Sequence, residues 1–115
     1  MPERQHSLYV DNSVWKRAGE KSKRHDSRPI GWTGGRLVAA YGHGRITPDP
    51  ADNPVVASRT AKLIKIDDAD WAAAERRAMQ SGTSISAAFE ALLVAYSDGR
   101  LKIVTTVVQE PATVA

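Results

Sequence analysis

Leu63-Ile64-Lys65-Ile66-Asp67-Asp68-Ala69-Asp70-Trp71-Ala72-Ala73-Ala74 decides the reading of this chain, because the sequence writes it twice. Fifty-six residues earlier stands Ser7-Leu8-Tyr9-Val10-Asp11-Asn12-Ser13-Val14-Trp15-Lys16-Arg17-Ala18. Leu8/Ile64, Val10/Ile66, Asp11/Asp67, Trp15/Trp71 and Ala18/Ala74 coincide. A second block repeats at a spacing of fifty-five: Leu37-Val38-Ala39-Ala40-Tyr41-Gly42-His43-Gly44-Arg45-Ile46 against Leu92-Leu93-Val94-Ala95-Tyr96-Ser97-Asp98-Gly99-Arg100-Leu101. One deletion between the blocks reconciles the offsets. Self-similarity at a fixed period constrains architecture more than composition does.

Each copy is about forty residues, too short to bury a core alone. The copies are therefore expected to pack against each other within the 115 residues. There is no cysteine, which excludes disulfides and thiolate metal sites. His6, His25 and His43 share no metal-ligand spacing, so neither a metal nor any other cofactor is expected. No apolar run approaches the ~20 residues of a membrane span, and no signal-peptide pattern is visible. The expectation is a cytoplasmic, nucleoid-associated protein without a membrane partner. Charge is uneven: residues 1–46 carry +5 and residues 62–101 carry −1, within a total of +3. A basic half permits a polyanionic partner without requiring one.

Local signals give the same order of elements in both copies. In the second, Lys62 to Ile66 is a β-prone run, and Asp67 or Asp68 can cap the helix that follows. Trp71, Ala74 and Ala78 recur at helical spacing until Gly82 stops the helix. Thr83, Ser84 or Ser86 can cap a second helix whose apolar face is Ile85, Phe89, Leu92, Leu93 and Tyr96. In the first copy, His6 to Val10 reads as a strand, Asn12 or Ser13 as a cap and Val14 to about Lys23 as a helix. Arg28-Pro29 forms a turn, and Trp32 to Tyr41 is the second helix despite Gly34 and Gly35. Trp15, Trp71, Tyr41 and Tyr96 are expected to pack. The basic run Lys16, Arg17, Lys21, Lys23 and Arg24 reads first as a solvated helix face. The organisation expected is residues 1–46, a Pro-rich linker at 47–61, residues 62–101, and a tail at 102–115. That tail either adds an edge strand or orders on a partner.

Ile64-Lys65-Ile66-Asp67-Asp68, Trp71 and Gly82-Thr83-Ser84-Ile85-Ser86 together resemble the ribbon-helix-helix family of the MetJ/Arc type. Residues 6–46 resemble it more loosely. The resemblance implies a mostly α fold with a short antiparallel two-stranded ribbon, formed by two intertwined repeats on one chain. It also implies a ribbon that enters the major groove of double-stranded DNA. Because strand side chains alternate faces, Leu8, Val10, Ile64 and Ile66 point inward. Gln5, Ser7, Tyr9, Leu63 and Lys65 are left as base-contacting candidates. The family also anchors phosphates at the N-terminus of its second helix, here at Ser84 to Ser86 and, weakened by Pro29, at residues 29–31. The phosphate-contacting candidates are Arg4, Arg28, Arg59, Lys62, Ser84 and Ser86. The outward set is asymmetric, so a simple palindrome is not the expected site.

No nucleophile–base pairing is visible, and Gly42-His43-Gly44 does not follow a strand as a phosphate loop would. The chain is therefore expected to be no enzyme. The leading expectation is a sequence-specific regulator of transcription acting as a repressor, with further self-association on DNA. The alternative is a protein-interaction module on the same fold, using the basic first copy or the C-terminal tail.

Overall fold

The computed structural model describes residues 3–104. The strand β1 (Glu3–Asp11) leads into α1 (Asn12–Lys21), which runs on into a π-type turn, Ser22–Asp26. Helix α2 (Ile30–Gly42) follows, then a linker holding a single 3-10 turn at Pro50–Asp52. The second half is β2 (Arg59–Asp67), α3 (Asp68–Gln80) and α4 (Ile85–Ser97). The chain is thus mostly α, with one two-stranded antiparallel ribbon. No helix among the described residues is long and apolar enough to cross a membrane.

Capping chemistry sets where the strands end. The Asp11 carboxylate accepts from the Val14 N–H at 3.1 Å and Asp67 accepts from the Ala69 N–H at 2.6 Å. Ser84 does the same for Ala87 at 3.0 Å at the start of α4. Each side chain satisfies a first-turn N–H that would otherwise lack a partner. The cap of α1 is Asp11 rather than Asn12 or Ser13. Strand and helix therefore join without a loop, as they do at Asp67. Gly82, at φ 71°, takes the left-handed conformation that turns α3 into α4.

The ribbon is longer than the sequence suggests. Its nine paired positions run from Glu3↔Asp67 to Asp11↔Arg59, so residues 59–61, expected in the linker, lie in β2. At the centre of this register Ser7 faces Leu63. Leu8, Val10, Ile64 and Ile66 are fully buried and form the floor of the core. The helices cover that floor crosswise: α4 lies on β1 and α2 on β2, while α1 packs on α4 and α2 on α3. Phe89, Leu92, Leu93, Leu37, Val38, Tyr41 and Tyr96 fill the interior, and Trp15 and Trp71 lie half-buried against it.

The two glycines of α2 have a packing role. A Cβ on Gly34 would stand 2.7 Å from Ile64 Cγ2 and 3.0 Å from Phe89 Cζ, and one on Gly35 would collide with the Lys65 carbonyl oxygen. Only bare backbone lets α2 sit this close to β2. The tail expected at 102–115 lies outside the described residues beyond Val104; Ile103 still packs against the core.

Candidate nucleic-acid interface

The face of the ribbon turned away from the helices presents Glu3, Gln5, Ser7 and Tyr9 on β1, with Ala61, Leu63 and Lys65 on β2. Cross-strand neighbours are Gln5↔Lys65, Ser7↔Leu63 and Tyr9↔Ala61. The alternation of side chains puts all five base-contacting candidates on one surface. Tyr9 is 61% exposed and Leu63 53%, so neither contributes to the core. The surface is polarised along its length. Gln5 and Lys65 make one end polar, Tyr9 and Ala61 lie toward the other, and Leu63 adds an apolar side chain at the centre.

Both ends of the ribbon are tied to the helices by polar side chains. Beneath one end lies Glu90 of α4, 1% exposed. Its carboxylate accepts from the Asp11 N–H at 2.9 Å, from Arg59 Nε and Nη2 at 2.8 Å each, and from Asn53 Nδ2 at 3.0 Å. One buried carboxylate thus joins β1, β2 and the linker. Burial pushes the Glu90 carboxyl up, but its hydrogen bonds to Arg59, Asn53 and the Asp11 N–H outweigh that and hold it below the usual range. The Ser58 and Val14 N–H groups likewise hold Asp11 below its ordinary value. At the other end, His6 stacks on Trp71 with centroids 4.3 Å apart, and its Nε2 lies 3.1 Å from Asp68 Oδ1.

The phosphate-contacting candidates divide. Arg59 leaves the set: its guanidinium is bound to Glu90, because a buried carboxylate without a cation would be costly. Lys62 has the inward parity, opposite Leu8, and its Nζ donates to Asn12 Oδ1 at 2.8 Å. Arg4 is 3.4 Å from Asp68 but 69% exposed, a pairing that solvent readily exchanges. Ser84 is the α4 cap, and Ser86 Oγ accepts from the Tyr9 N–H at 3.0 Å, seating the α4 N-terminus beside β1. Arg28 is exposed, with its guanidinium carbon 4.9 Å from the centre of the Trp32 ring.

Trp32 and Arg36 were missed by reasoning from the sequence. The Arg36 guanidinium carbon lies 5.8 Å from the centre of the same ring, and its Nη2 is 3.8 Å from Glu3 Oε1. The signal was present in part, as Trp32 and Arg36 one helical turn apart; Arg28 precedes the helix. Only the packing of α2 on β2 brings that pair to the ribbon.

No family model, curated protein or solved structure matches this chain.

Proposed function

We propose that the chain is a sequence-specific, double-stranded DNA-binding regulator of transcription, acting as a repressor by laying its β-ribbon in the major groove. The observation that carries the reading is the outward ribbon face, where Gln5, Ser7, Tyr9, Leu63 and Lys65 stand clear of the core on a rigid two-stranded support. A two-stranded ribbon fits the major groove, where each base pair shows a distinct pattern of donors, acceptors and methyls. Lys65 donates to guanine O6 and N7, Gln5 pairs with adenine, and Leu63 meets thymine methyls. The α4 N-terminus, seated beside β1 by Ser86, offers N–H groups to a phosphate.

In this reading the two halves are intertwined ribbon-helix-helix repeats, a dimer supplied by one chain. Three observations support it. Ser7 and Leu63, equivalent at the fifty-six-residue spacing, face each other at the centre of the ribbon. Each half sends its second helix onto the other half's first, in α1 on α4 and α3 on α2. Lys21 donates to the Tyr96 carbonyl and lies over its ring, as Arg77 does with Tyr41 at the equivalent place. A fragment of residues 58–115 should then self-associate or unfold, and a stable folded monomer would overturn the intertwined arrangement.

A protein-interaction role on the same fold is the second reading, favoured by the exposed Tyr9 and Leu63 side chains. Fluorescence anisotropy across a salt series separates the two, comparing DNA from upstream of the chain's own gene with a scrambled duplex. Tighter binding to the upstream DNA, with log affinity falling by about 0.9 per phosphate for each decade of salt, is expected. Equal and weak binding to both duplexes would overturn the regulator reading.

A further inference from the structure

We infer that Arg28 and Arg36, both held against the Trp32 ring, form a phosphate clamp that grips one DNA strand beside the Gln5/Lys65 end of the ribbon and so fixes which way round the protein binds. This inference rests on the DNA reading above and adds to it the residues that supply charge.

The geometry of α2 leads to it. Pro29 stands at the cap of the helix and has neither an N–H nor a capping side chain, so this flank lacks part of the anion-binding terminus that α4 offers. Cations stand here instead. Trp32 and Arg36 stand one turn apart on one face of the helix, and Arg28, two residues before its start, folds back onto the same ring. The guanidinium carbons lie 4.9 Å and 5.8 Å from the ring centre, within the range of cation–π attraction. Stacking restrains the planar forks while leaving the exposed Arg28 fork and the terminal amino groups of the half-exposed Arg36 for the oxygens of a phosphate. The backbone under Arg28 is also held: its N–H donates to the Ser22 carbonyl at 3.2 Å, and its own carbonyl accepts from Ser22 Oγ at 2.7 Å.

The placement relative to the ribbon follows from the register. Glu3 shares the outward parity of Gln5, and Arg36 Nη2 reaches to 3.8 Å from its carboxylate. Arg36 therefore stands at the end where Gln5 faces Lys65. Arg36 Nε is buried without a hydrogen-bond partner, and Arg28 forms no ion pair, among the described residues. Arg28 thus carries an unpaired charge among these residues, and Arg36 faces only the half-exposed Glu3 carboxylate, a pairing that solvent and a phosphate readily exchange. At the equivalent positions of the second half stand Thr83, Ala87 and Ala91, with no charge. One flank of the ribbon thus grips by cations and the other by a helix N-terminus, so the two orientations on a duplex differ in energy.

The test measures salt slopes with the full chain on the duplex from upstream of its own gene. Arg28→Ala and Arg36→Ala should each flatten the slope by about 0.9 and weaken all duplexes alike. Arg36→Lys should keep the slope but bind less tightly, because it retains the charge and loses the fork. Trp32→Leu should weaken binding with both arginines present. Arg76→Ala, on the exposed face of α3, should change nothing. Thermal unfolding of each variant shows that it is folded. If the wild type binds with a salt-dependent slope and both arginine variants match it, the clamp is wrong while the DNA reading stands. If the wild type shows no salt-dependent binding, both fall.

Discussion

Replacing Gly35 by alanine asks whether α2 rests on β2 as closely as the structure has it. In an exposed helix the change would stabilise by about 1 kcal/mol, because glycine carries the larger backbone entropy loss. Here the new methyl would overlap the Lys65 carbonyl oxygen and come within 3.8 Å of the Ile66 Cα, and backbone cannot rotate away as a side chain can. The helix must retreat by about 1.5 Å to restore ordinary contact distances. That retreat loosens Gly34 from Ile64 and Phe89. Overpacking of this kind costs about 1–3 kcal/mol, and a backbone partner puts it at or above the upper end. Net of the helix gain, about 2 kcal/mol of stability is lost, a fall in Tm of roughly 8–16 °C for a domain of this size. Gly19→Ala in α1 is the control. Its methyl would meet Ile30 at 3.8 Å, an ordinary contact, so it should raise Tm by about 4–8 °C. Calorimetry on both variants checks the pair. If Gly35→Ala raises Tm as Gly19→Ala does, α2 is not seated on the ribbon, and the placement of Arg36 beside Glu3 falls with it.

Other expectations concern single groups. Lys65→Ala should reduce discrimination between the upstream and scrambled duplexes by about 1–3 kcal/mol, read by competition anisotropy; unchanged affinity and specificity would remove the ribbon from the interface. Tyr96 and Tyr41 should behave oppositely. Tyr96→Phe removes a hydroxyl that donates to Asp26 and should cost about 1–2 kcal/mol, whereas Tyr41→Phe removes one with no partner among the described residues and should be near neutral. Stability should also depend on acid. Asp11 and Glu90 both titrate below their ordinary values when folded, so the folded state binds fewer protons than the unfolded one. Their contribution is complete above the unfolded carboxylate range and is lost as pH falls through the lowered folded values, below about pH 4. Denaturant midpoints measured from pH 7 to pH 3 should fall accordingly, and Glu90→Gln should flatten that fall; an unchanged slope would show that Glu90 is not the titrating anchor.

Much of the fold was legible because it rests on local chemistry. Asp67, Ser84 and Gly82 mark helix boundaries by satisfying or releasing the backbone, whatever lies around them. The alternation in Leu8-Tyr9-Val10 and Ile64-Lys65-Ile66 named the buried and the exposed side of the ribbon, since a strand has only two faces. Ser22–Asp26 was harder to read. Its π-type turn holds Asp26 where it accepts from the Tyr96 hydroxyl, seventy residues away, and no local pattern announces such a partner. The start of β2 at Arg59 was hidden for a similar reason. Residues 59–61 are polar or small, and they extend because β1 pairs with them.

The sequence by itself determined the order of the elements, the duplication and the set of side chains that leave the core, because these depend on periodicity and on caps within one turn. The tertiary structure alone decided which charges are free to act. Arg59 and Arg28 look alike in the chain, yet one is bound to a carboxylate buried in α4 and the other stacks in the open on Trp32. Two glycines that weaken α2 in isolation let it approach β2 and carry Arg36 to the ribbon. Charge availability depends on neighbours distant in sequence, and only the packed chain brings them together.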